Sequence, residues 1–504
     1  MGVAYFVQTA YFGIFQNYIG VFDLRFFAAD PGMSMALYWE NGAILRPLLT
    51  AAIAVAVLWR VMGWPSNKRL WLRYVVGALS LGVFVLLSTN WYSAPQFQLA
   101  PVACACSFAR ALDIRTGRNR AAVINRPALP QHTANPNAPD IVWVIGESLT
   151  PLHMGVYGYP RDTTPNLSRM LAQGKVVVFR NALTIGTRTM STVPYMLAGL
   201  QGIDPYGVIY QTPSVFNYAK SMGYQTALIT AQDFQWRNID RLLVDRDMDH
   251  FQQGSDFSSD VSVSVGADDQ RVLDRGVLPY WGKATATQKP VLLVTQMSGS
   301  HAPFDRQVPT ALKHFLPEDG PYSINAYDNT VWYTDLYLER LLKAVRAKRP
   351  NTWLFFTSDH GTHMTTQGAK LTRDFDDSVT HVPLLVFPPS PENVQRVRAD
   401  PNAPVSQADI LATLLNLMGT QPAAPIDGSS LLEPIAPDRM RVVSPYMITL
   451  HNEPVAALVL PDGTRYEINF EKNSVTLPDG KTVEPYETLD ARLRERFERR
   501  LHAP

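Results

Sequence analysis

The stretch IVWVIGES, residues 141–148, indicates how the larger part of this 504-residue chain folds. Its five leading residues are apolar, and a run of this kind is typical of a strand that is covered on both faces. Similar runs occur at 175–182, 224–231, 290–298, 352–360 and 381–388, and between them stretches of helical period occur at 166–173, 214–222, 323–348 and 407–418. This alternation predicts an α/β fold in which helices cover both faces of a mostly parallel sheet.

Polar groups follow two of these predicted strands. Glu147 comes directly after the first strand, and Asp359 and His360 end the run at 352–360. In α/β sheets, binding groups gather where the strands end, and carboxylate and imidazole are ligands that suit Zn²⁺ or Mn²⁺. Each motif by itself is also typical of an ordinary turn after a strand, so the pattern leaves both interpretations open.

A third element is the hydroxyl-rich run IGTRTMSTVP, residues 185–194. It leads into a predicted helix at 195–200, with Pro194 in the first turn. The N-terminus of a helix favours a phosphate group, and a coordinated cation can make a threonine usable as a nucleophile. An ordinary Ser/Thr-rich helix cap is the alternative interpretation of this run.

The first hundred residues have a different composition from the rest. They hold nine charged side chains, whereas about a fifth of the remaining 404 residues are charged. Residues 3–22, 36–62 and 74–91 each approach the ~20 apolar residues that span a bilayer. We therefore predict about three transmembrane helices in residues 1–93, although buried helices of a soluble protein are the alternative. Since the sequence opens directly in apolar residues, we expect a shortened amino terminus.

Basic residues set the expected orientation of these helices. Arg60, Lys68, Arg69 and Arg73 lie between the second and third segments, and such clusters favour the cytoplasmic side. Residues beyond 93 are then outside the cytoplasm. We expect residues 94–138 to form a linker or interfacial segment.

Charge and cysteine content exclude other classes. Lys and Arg total 45 against 44 Asp and Glu, a net charge of +1 that argues against a nucleic-acid partner. Cys104 and Cys106, the only cysteines, cannot form a disulfide framework.

Taken together, these motifs resemble the alkaline phosphatase/sulfatase superfamily, and in particular its membrane-bound phosphoethanolamine transferases. The resemblance spans about residues 140–420. It is carried by the following tracts: VIGES at 144–148, GYPRDTTPNL at 158–167, SHAP at 300–303, NAYDNTVWYTD at 325–335, SDHG at 358–361 and QADILATLL at 407–415.

Carried over by position, the resemblance implies a role for individual residues. The zinc ligands would be Glu147, Thr189, Asp359 and His360, with Mn²⁺ as the alternative ion, and Thr189 would also be the nucleophile. His301 matches a substrate-binding histidine. A further histidine of the family falls at about Thr372, so we expect His363 or Lys370 to replace it, or else to be solvated loop residues.

The resemblance also implies a reaction and a location. Phosphatidylethanolamine would donate phosphoethanolamine to Thr189, and a glycan or lipid A of the envelope would accept it, at the periplasmic side of a bacterial inner membrane. The alternatives are a phosphoglycerol transferase of the same superfamily and a catalytically inactive membrane scaffold. A sulfatase activity is disfavoured because no Cys/Ser-x-Pro-x-Arg motif surrounds Thr189.

The expected domains are a transmembrane region at 1–93, the linker at 94–138, a catalytic domain at 139–440 and a β-rich extension with a terminal helix at 441–504. Turn signals in the extension lie at Leu460-Pro461-Asp462-Gly463 and Leu477-Pro478-Asp479-Gly480. No function can be assigned to the extension from its sequence.

Overall fold

The computed structural model describes residue 52 and residues 124–504, except for 136, 205–206, 235–238, 262–264, 366–367, 370–374, 446–454, 471 and 499–504. The chain divides into two compact units, residues 1–123 with 450–453, and residues 124–449 with 454–504. Apart from residue 52, the three apolar segments predicted to span a membrane lie outside the described residues. Within the described part of the chain, no helix combines the length and the apolar character that crossing a membrane needs.

The second unit is built on a seven-stranded sheet with helices on both faces. Its strands are β1 (Ile141–Gly146), β2 (Val177–Phe179), β4 (Gln225–Thr230), β5 (His250–Gln252), β6 (Val291–Gln296), β7 (Trp353–Ser358) and β10 (Leu384–Phe387). The order is β2-β10-β7-β1-β6-β4-β5, and β10 alone runs against the other six. The predicted α/β fold with a mostly parallel sheet is confirmed.

Short strands and helices complete the unit. The short strands are β3 (Ala182–Leu183), β8 (Met364–Thr365), β9 (Gly368–Ala369) and β11 (Val405–Ser406). The helices are α1 (Pro165–Ala172), α2 (Thr189–Ala198), α3 (Val215–Ser221), α4 (Asp240–Leu243), α5 (Asp269–Val272), α6 (Leu278–Ala284), α7 (Ile324–Lys348), α8 (Asp377–Thr380), α9 (Pro391–Val394) and α10 (Ala408–Met418). A π-helical turn, Leu273–Val277, joins α5 to α6.

Alternate residues of the central strands supply two separate cores. Ile141, Trp143 and Ile145 of β1 pack on one face of the sheet, whereas Val142 and Val144 pack on the other, and all five are fully buried. Because successive side chains of a strand point to opposite faces, this double burial explains why the strand has an uninterrupted apolar run.

The register of the central strands brings the predicted site residues to one edge. β1 and β7 are parallel, with Gly146 opposite Ser358. The next residue on each strand is therefore a carboxylate, Glu147 or Asp359, and the two emerge side by side. This pairing is the step by which the fold brings together residues that are far apart in sequence.

Two expectations about local structure were wrong. The run at 175–182 does not form one strand, because the chain leaves the sheet after Phe179, and Ala182–Leu183 pairs with β11 instead. Helix α2 begins at Thr189, so Pro194 lies in its interior and not in its first turn. The first turn forms upstream of the proline, where the N–H groups of Ser191 and Thr192 donate to the carbonyl of Arg188.

The carboxyl-terminal part forms a five-stranded antiparallel sheet. Its strands are β12 (Arg441–Val443), β13 (Val455–Val459), β14 (Arg465–Asn469), β15 (Ser474–Thr476) and β16 (Val483–Pro485), in sequence order, and helix α11 (Ala491–Glu498) follows. The sheet borders the hydroxyl-rich loop: Ser444 bridges Gly186, and the Ser191 hydroxyl donates to the carbonyl of Pro445 at 2.9 Å.

Candidate active site

Glu147 is buried at the end of β1, where the backbone turns sharply. The following residue, Ser148, adopts a left-handed conformation with a φ of 55°. Its hydroxyl donates to Oε1 of Glu147 at 2.7 Å, and the side-chain amide of Gln232 donates to Oε2 at 2.5 Å. These two bonds fix the orientation of the Glu147 carboxylate.

Thr189 is the first residue of helix α2 and is only 4% exposed. Its Oγ1 lies 3.1 Å from Oε2 and 3.4 Å from Oε1 of Glu147, and 3.5 Å from Nε2 of His360. The N–H groups of a first helical turn have no partner within the helix. The hydroxyl therefore lies where a helix N-terminus and a carboxylate meet.

Asp359 and His360 continue β7 into the same cluster. Oδ1 of Asp359 accepts hydrogen bonds from the N–H groups of Ser148 at 2.9 Å and His360 at 2.7 Å. Oδ2 is buried and accepts no hydrogen bond from the described residues. Buried carboxylate oxygens are normally satisfied, so this oxygen fits a position that binds a cation.

The tautomer of His360 follows from its neighbours. Nδ1 lies 2.8 Å from the carbonyl of Gly361, which can only accept, so Nδ1 carries the proton of the neutral ring. Nε2 then presents a lone pair 3.4 Å from Oδ2 of Asp359 and 3.8 Å from Oε1 of Glu147. A histidine held in this way through its other nitrogen is typical of a metal ligand.

The electrostatics of the cluster favour a bound cation. Burial opposes ionisation of Glu147, but the nearby His301 and His360 and its hydrogen bonds lower the pKa of this carboxyl to about 2. Burial and the charge of Glu147 raise the pKa of Asp359 well above its usual range. Ligand atoms of Glu147, Asp359 and His360 all lie within 4.8 Å of one another. Since a divalent cation would offset the electrostatic repulsion between the Glu147 and Asp359 carboxylates, the donor set fits a metal.

The loop that carries Thr189 is tied to β7 by Thr184 and by Gln407, the first residue of the tract at 407–415, and neither residue was assigned a role at the site from the sequence. The Gln407 side chain accepts from the N–H of Ile185 at 2.9 Å and donates to the carbonyl of Asp359 at 2.8 Å. The Thr184 hydroxyl lies 2.7 Å from the same carbonyl. Gln407 and Thr184 thus connect the loop that leads to Thr189 to the backbone of Asp359.

The remaining predicted site residues differ in their placement. His301 is close enough to Glu147 for its charge to lower the pKa of that carboxyl. Asp269 holds the turn before His301, because its two oxygens accept from the N–H groups of Ser298 and Gly299. His363 lies beside Asp376, with 3.6 Å between Nδ1 and Oδ1. Lys370 and Thr372 lie outside the described residues.

The long motif at 325–335 lies on helix α7 and binds the segment of chain that follows Glu147. Asp328, which is fully buried, accepts from Tyr159 at 3.0 Å and Arg161 at 2.6 Å and lies 2.7 Å from Nδ1 of His153. Asp335 accepts from the N–H groups of Asn166 and Leu167 at the start of α1. The motif thus fixes the chain that follows Glu147.

Comparisons with known proteins agree with this architecture. "Phosphoethanolamine transferase EptC" of Escherichia coli O18:K1:H7 is 29% identical over 237 residues, which are 44% of this chain and 39% of the relative. The chain thus matches about two fifths of the length of such curated relatives.

Two solved structures share the fold. The periplasmic domain of EptC from Escherichia coli in complex with Zn has a TM-score of 0.54 and 24% identity, covering 67% of this chain and 97% of that one. The integral membrane lipooligosaccharide phosphoethanolamine transferase A from Neisseria meningitidis has a TM-score of 0.53 and 17% identity, covering 83% of each chain.

A family model described as Sulfatase matches residues 139–420, which is more than half of the chain. The matched range contains Glu147, Thr189, Asp359 and His360, the four residues that the fold brings together. The chain therefore belongs to the sulfatase family.

Proposed function

We propose that this protein transfers phosphoethanolamine from phosphatidylethanolamine to a glycan or lipid A of the bacterial envelope. The observation that carries the proposal is the approach of the Thr189 hydroxyl to Glu147 and His360, beside the Asp359 oxygen that accepts no hydrogen bond from the described residues. A nucleophile, a set of metal ligands and a helix N-terminus at one point suit an in-line displacement at phosphorus.

In the proposed reaction the Thr189 oxygen attacks the phosphorus of the donor. The bond from phosphorus to the glycerol oxygen breaks, and the threonine proton ends on the released diacylglycerol. The acceptor hydroxyl or phosphate then attacks the phosphorylated Thr189, which regains its proton as the group leaves. A cation held by Glu147, Thr189, Asp359 and His360, either Zn²⁺ or Mn²⁺, would supply Lewis-acid chemistry that favours ionisation of the threonine and offsets phosphoryl charge.

The residues around Thr189 have positioning roles in this proposal. The Glu147 carboxylate is held by Ser148 and Gln232, so it accepts the Thr189 hydroxyl in a fixed orientation. His301 would contact the substrate phosphate, and His363 or Lys370 would contact the donor or acceptor.

The names of the relatives support the substrate class. Several of the matched proteins are called phosphoethanolamine transferases, one solved structure is a complex with Zn, and another is an integral membrane protein named for lipooligosaccharide. We therefore propose a multi-pass inner-membrane protein whose anchor lies within residues 1–93, with the linker at 94–138, a periplasmic catalytic domain at 139–440 and an extension at 441–504.

The decisive experiment identifies the group that becomes attached to Thr189. The full-length protein is incubated with labelled phosphatidylethanolamine or phosphatidylglycerol, and the peptide containing Thr189 is examined by mass spectrometry. We expect phosphoethanolamine on Thr189 in the native protein and none in Thr189→Ala. Thr187→Ala, which changes the neighbouring threonine, is the matched control and should still be modified. Modification by phosphoglycerol would contradict the proposed donor, and an unmodified peptide would contradict the nucleophile.

The metal ligands are tested by metal content. Asp359→Asn and His360→Ala should lower the zinc bound to the purified protein, because each removes a ligand from a small donor set. His132→Ala changes an exposed histidine and serves as the control. Unchanged zinc stoichiometry in the first two variants would remove the assignment.

A further inference from the structure

Several large apolar side chains of the second unit are strongly exposed, and three of them lie in two segments that meet. Leu152 is 53% exposed, Leu312 is 43% exposed and Leu316 is 67% exposed. With the half-buried Phe315 they form what we call the apolar patch. Clustered exposure of this kind marks an interaction surface, whereas single exposed leucines need no explanation.

Both segments of the patch are attached to one buried carboxylate. Leu152 precedes His153, which lies 2.7 Å from Asp328. Leu316 follows Phe315, whose ring lies 5.3 Å from the guanidinium carbon of Arg161, and Arg161 binds Asp328 at 2.6 Å. The segments that carry Leu152 and Leu316 therefore both border the groups around Asp328, and they are neighbours in the fold.

The loop that carries Leu312 and Leu316 is tied to helix α7 and is also held by an ion pair of its own. The Asn329 side chain accepts from the N–H groups of His314 and Phe315, both at 2.7 Å. Lys313 and Glu318 form an ion pair of 2.5 Å within the same loop. Since buried side-chain contacts fix the loop backbone, the exposure of its leucines is part of the fold.

The patch lies at the edge of the sheet that also carries the site. Leu152 follows β1 and Leu316 lies between β6 and α7, so both follow carboxyl ends of parallel strands, as Glu147 and Asp359 do. The chain enters the unit at this edge as well. The N–H of Asn125 donates to the carbonyl of Tyr210, which lies shortly before α3. Helix α3 precedes β4 in sequence and begins at the edge of the sheet where β4 ends. The described chain therefore enters the unit at the edge that bears the patch, and the predicted membrane anchor precedes this point in the sequence.

We infer that the apolar patch inserts into the interface of a phospholipid bilayer and holds the site against the lipid surface. Aliphatic side chains gain by leaving water for the acyl boundary, and the Arg161 guanidinium beside them is placed to remain at the head groups. The inference rests on the proposed function in one respect, the phospholipid donor, because a site for that donor must reach the bilayer.

The test measures the proximity of the patch to lipid directly. In full-length protein with Cys104→Ala and Cys106→Ala, Leu316→Cys is labelled with an environment-sensitive fluorophore, and the protein is placed in nanodiscs of phosphatidylcholine with brominated acyl chains. Val483→Cys is the matched control, since Val483 is 62% exposed but lies in the carboxyl-terminal sheet. We expect several-fold stronger quenching at residue 316 than at residue 483.

Two outcomes would overturn the inference. Equal, weak quenching at both positions would place the patch in water. A blue-shifted but unquenched fluorophore at residue 316 would mean that protein, such as a second copy of this chain, covers the patch. Quenching needs no turnover and can be repeated with Thr189→Ala, so its result is separate from that of the proposed function.

A second variant connects the patch to catalysis. Leu152→Asp with Leu316→Asp should lower turnover of phosphatidylethanolamine in vesicles several-fold, yet leave turnover of a short-chain, detergent-dispersed phosphatidylethanolamine unchanged. An equal loss on both donors would indicate damage to the site, and would contradict a role in docking to the bilayer.

Discussion

Replacing Gln407 with methionine should uncouple the loop that carries Thr189 from the strand that ends at Asp359. Gln407 is fully buried, and methionine has a similar length and no strong donor or acceptor. The change thus removes the hydrogen bonds and largely preserves the packing volume. Gln395→Met, at an exposed position, is the matched control.

The size of the effect follows from the bonds that are lost. Gln407 donates to the carbonyls of Ser358 and Asp359 and accepts from the N–H of Ile185. An intramolecular hydrogen bond contributes about 1 kcal/mol, and an abandoned buried donor costs about 1–3 kcal/mol. The Asp359 carbonyl keeps the Thr184 hydroxyl, so the Ile185 N–H is the main abandoned group. We expect a loss of about 2–4 kcal/mol in the stability of the unit.

Activity should fall more than this stability loss alone would cause. Ile185 lies four residues before Thr189, and a displacement of ~1 Å at a reacting group can cost about 10²-fold in rate. We expect kcat for phosphatidylethanolamine to fall by that order, with KM little changed. Steady-state kinetics and thermal unfolding of Gln407→Met and Gln395→Met measure both effects. A folded Gln407→Met protein with native kcat would refute the idea that this side chain positions the threonine.

Two further predictions concern supporting residues. Burial raises the pKa of Asp335 to about 6 although two backbone N–H groups oppose the shift. The folded state therefore holds its proton more tightly than the unfolded state, and stability should decline by roughly 2 kcal/mol as pH rises from about 4 to about 6. Asp335→Asn should flatten this part of the pH profile of unfolding, and an identical profile would contradict the assignment. In Gly361→Ala the new Cβ would overlap the carbonyl oxygen of Ser378, so the loop after His360 must shift. Zinc content and the thermal midpoint should both fall, whereas native values of both would show that the loop accommodates the methyl group.

The sequence was sufficient to predict a mostly parallel sheet with candidate metal ligands at the ends of two of its strands. Apolar runs on β1 and β7 are long enough to identify central strands, and parallel strands place their carboxyl ends together. Glu147 and Asp359 could therefore be expected to meet, and the register of Gly146 opposite Ser358 shows that they do. The start of α2 was predicted wrongly because a proline was assigned to the first turn, where it is most often found, whereas the helix tolerates Pro194 in its interior.

The amide side chains of the site could not be predicted. Gln232 reaches Glu147 across 85 residues of sequence, and Gln407 reaches Ile185 across 222. Gln232 lies in no motif, and the tract QADILATLL, which begins at Gln407, contains no signal that this side chain reaches Ile185, since amide side chains carry no periodic or spacing signal. Their positions depend on the way in which α10 and the loop after β4 pack on the sheet, which is a property of the tertiary structure.

Buried aspartates around the site accept hydrogen bonds from backbone N–H groups, and the number of oxygens used distinguishes Asp359, the candidate metal ligand, from the others. Asp269 and Asp335 each use both carboxylate oxygens to accept backbone N–H groups, which fixes the turn before His301 and the start of α1. Asp359 does the same with Oδ1 only. Its Oδ2 accepts no hydrogen bond from the described residues and faces the Nε2 lone pair of His360. A carboxylate needed only to fix a loop would use both oxygens, so the asymmetry at Asp359 is the feature that argues for a cation.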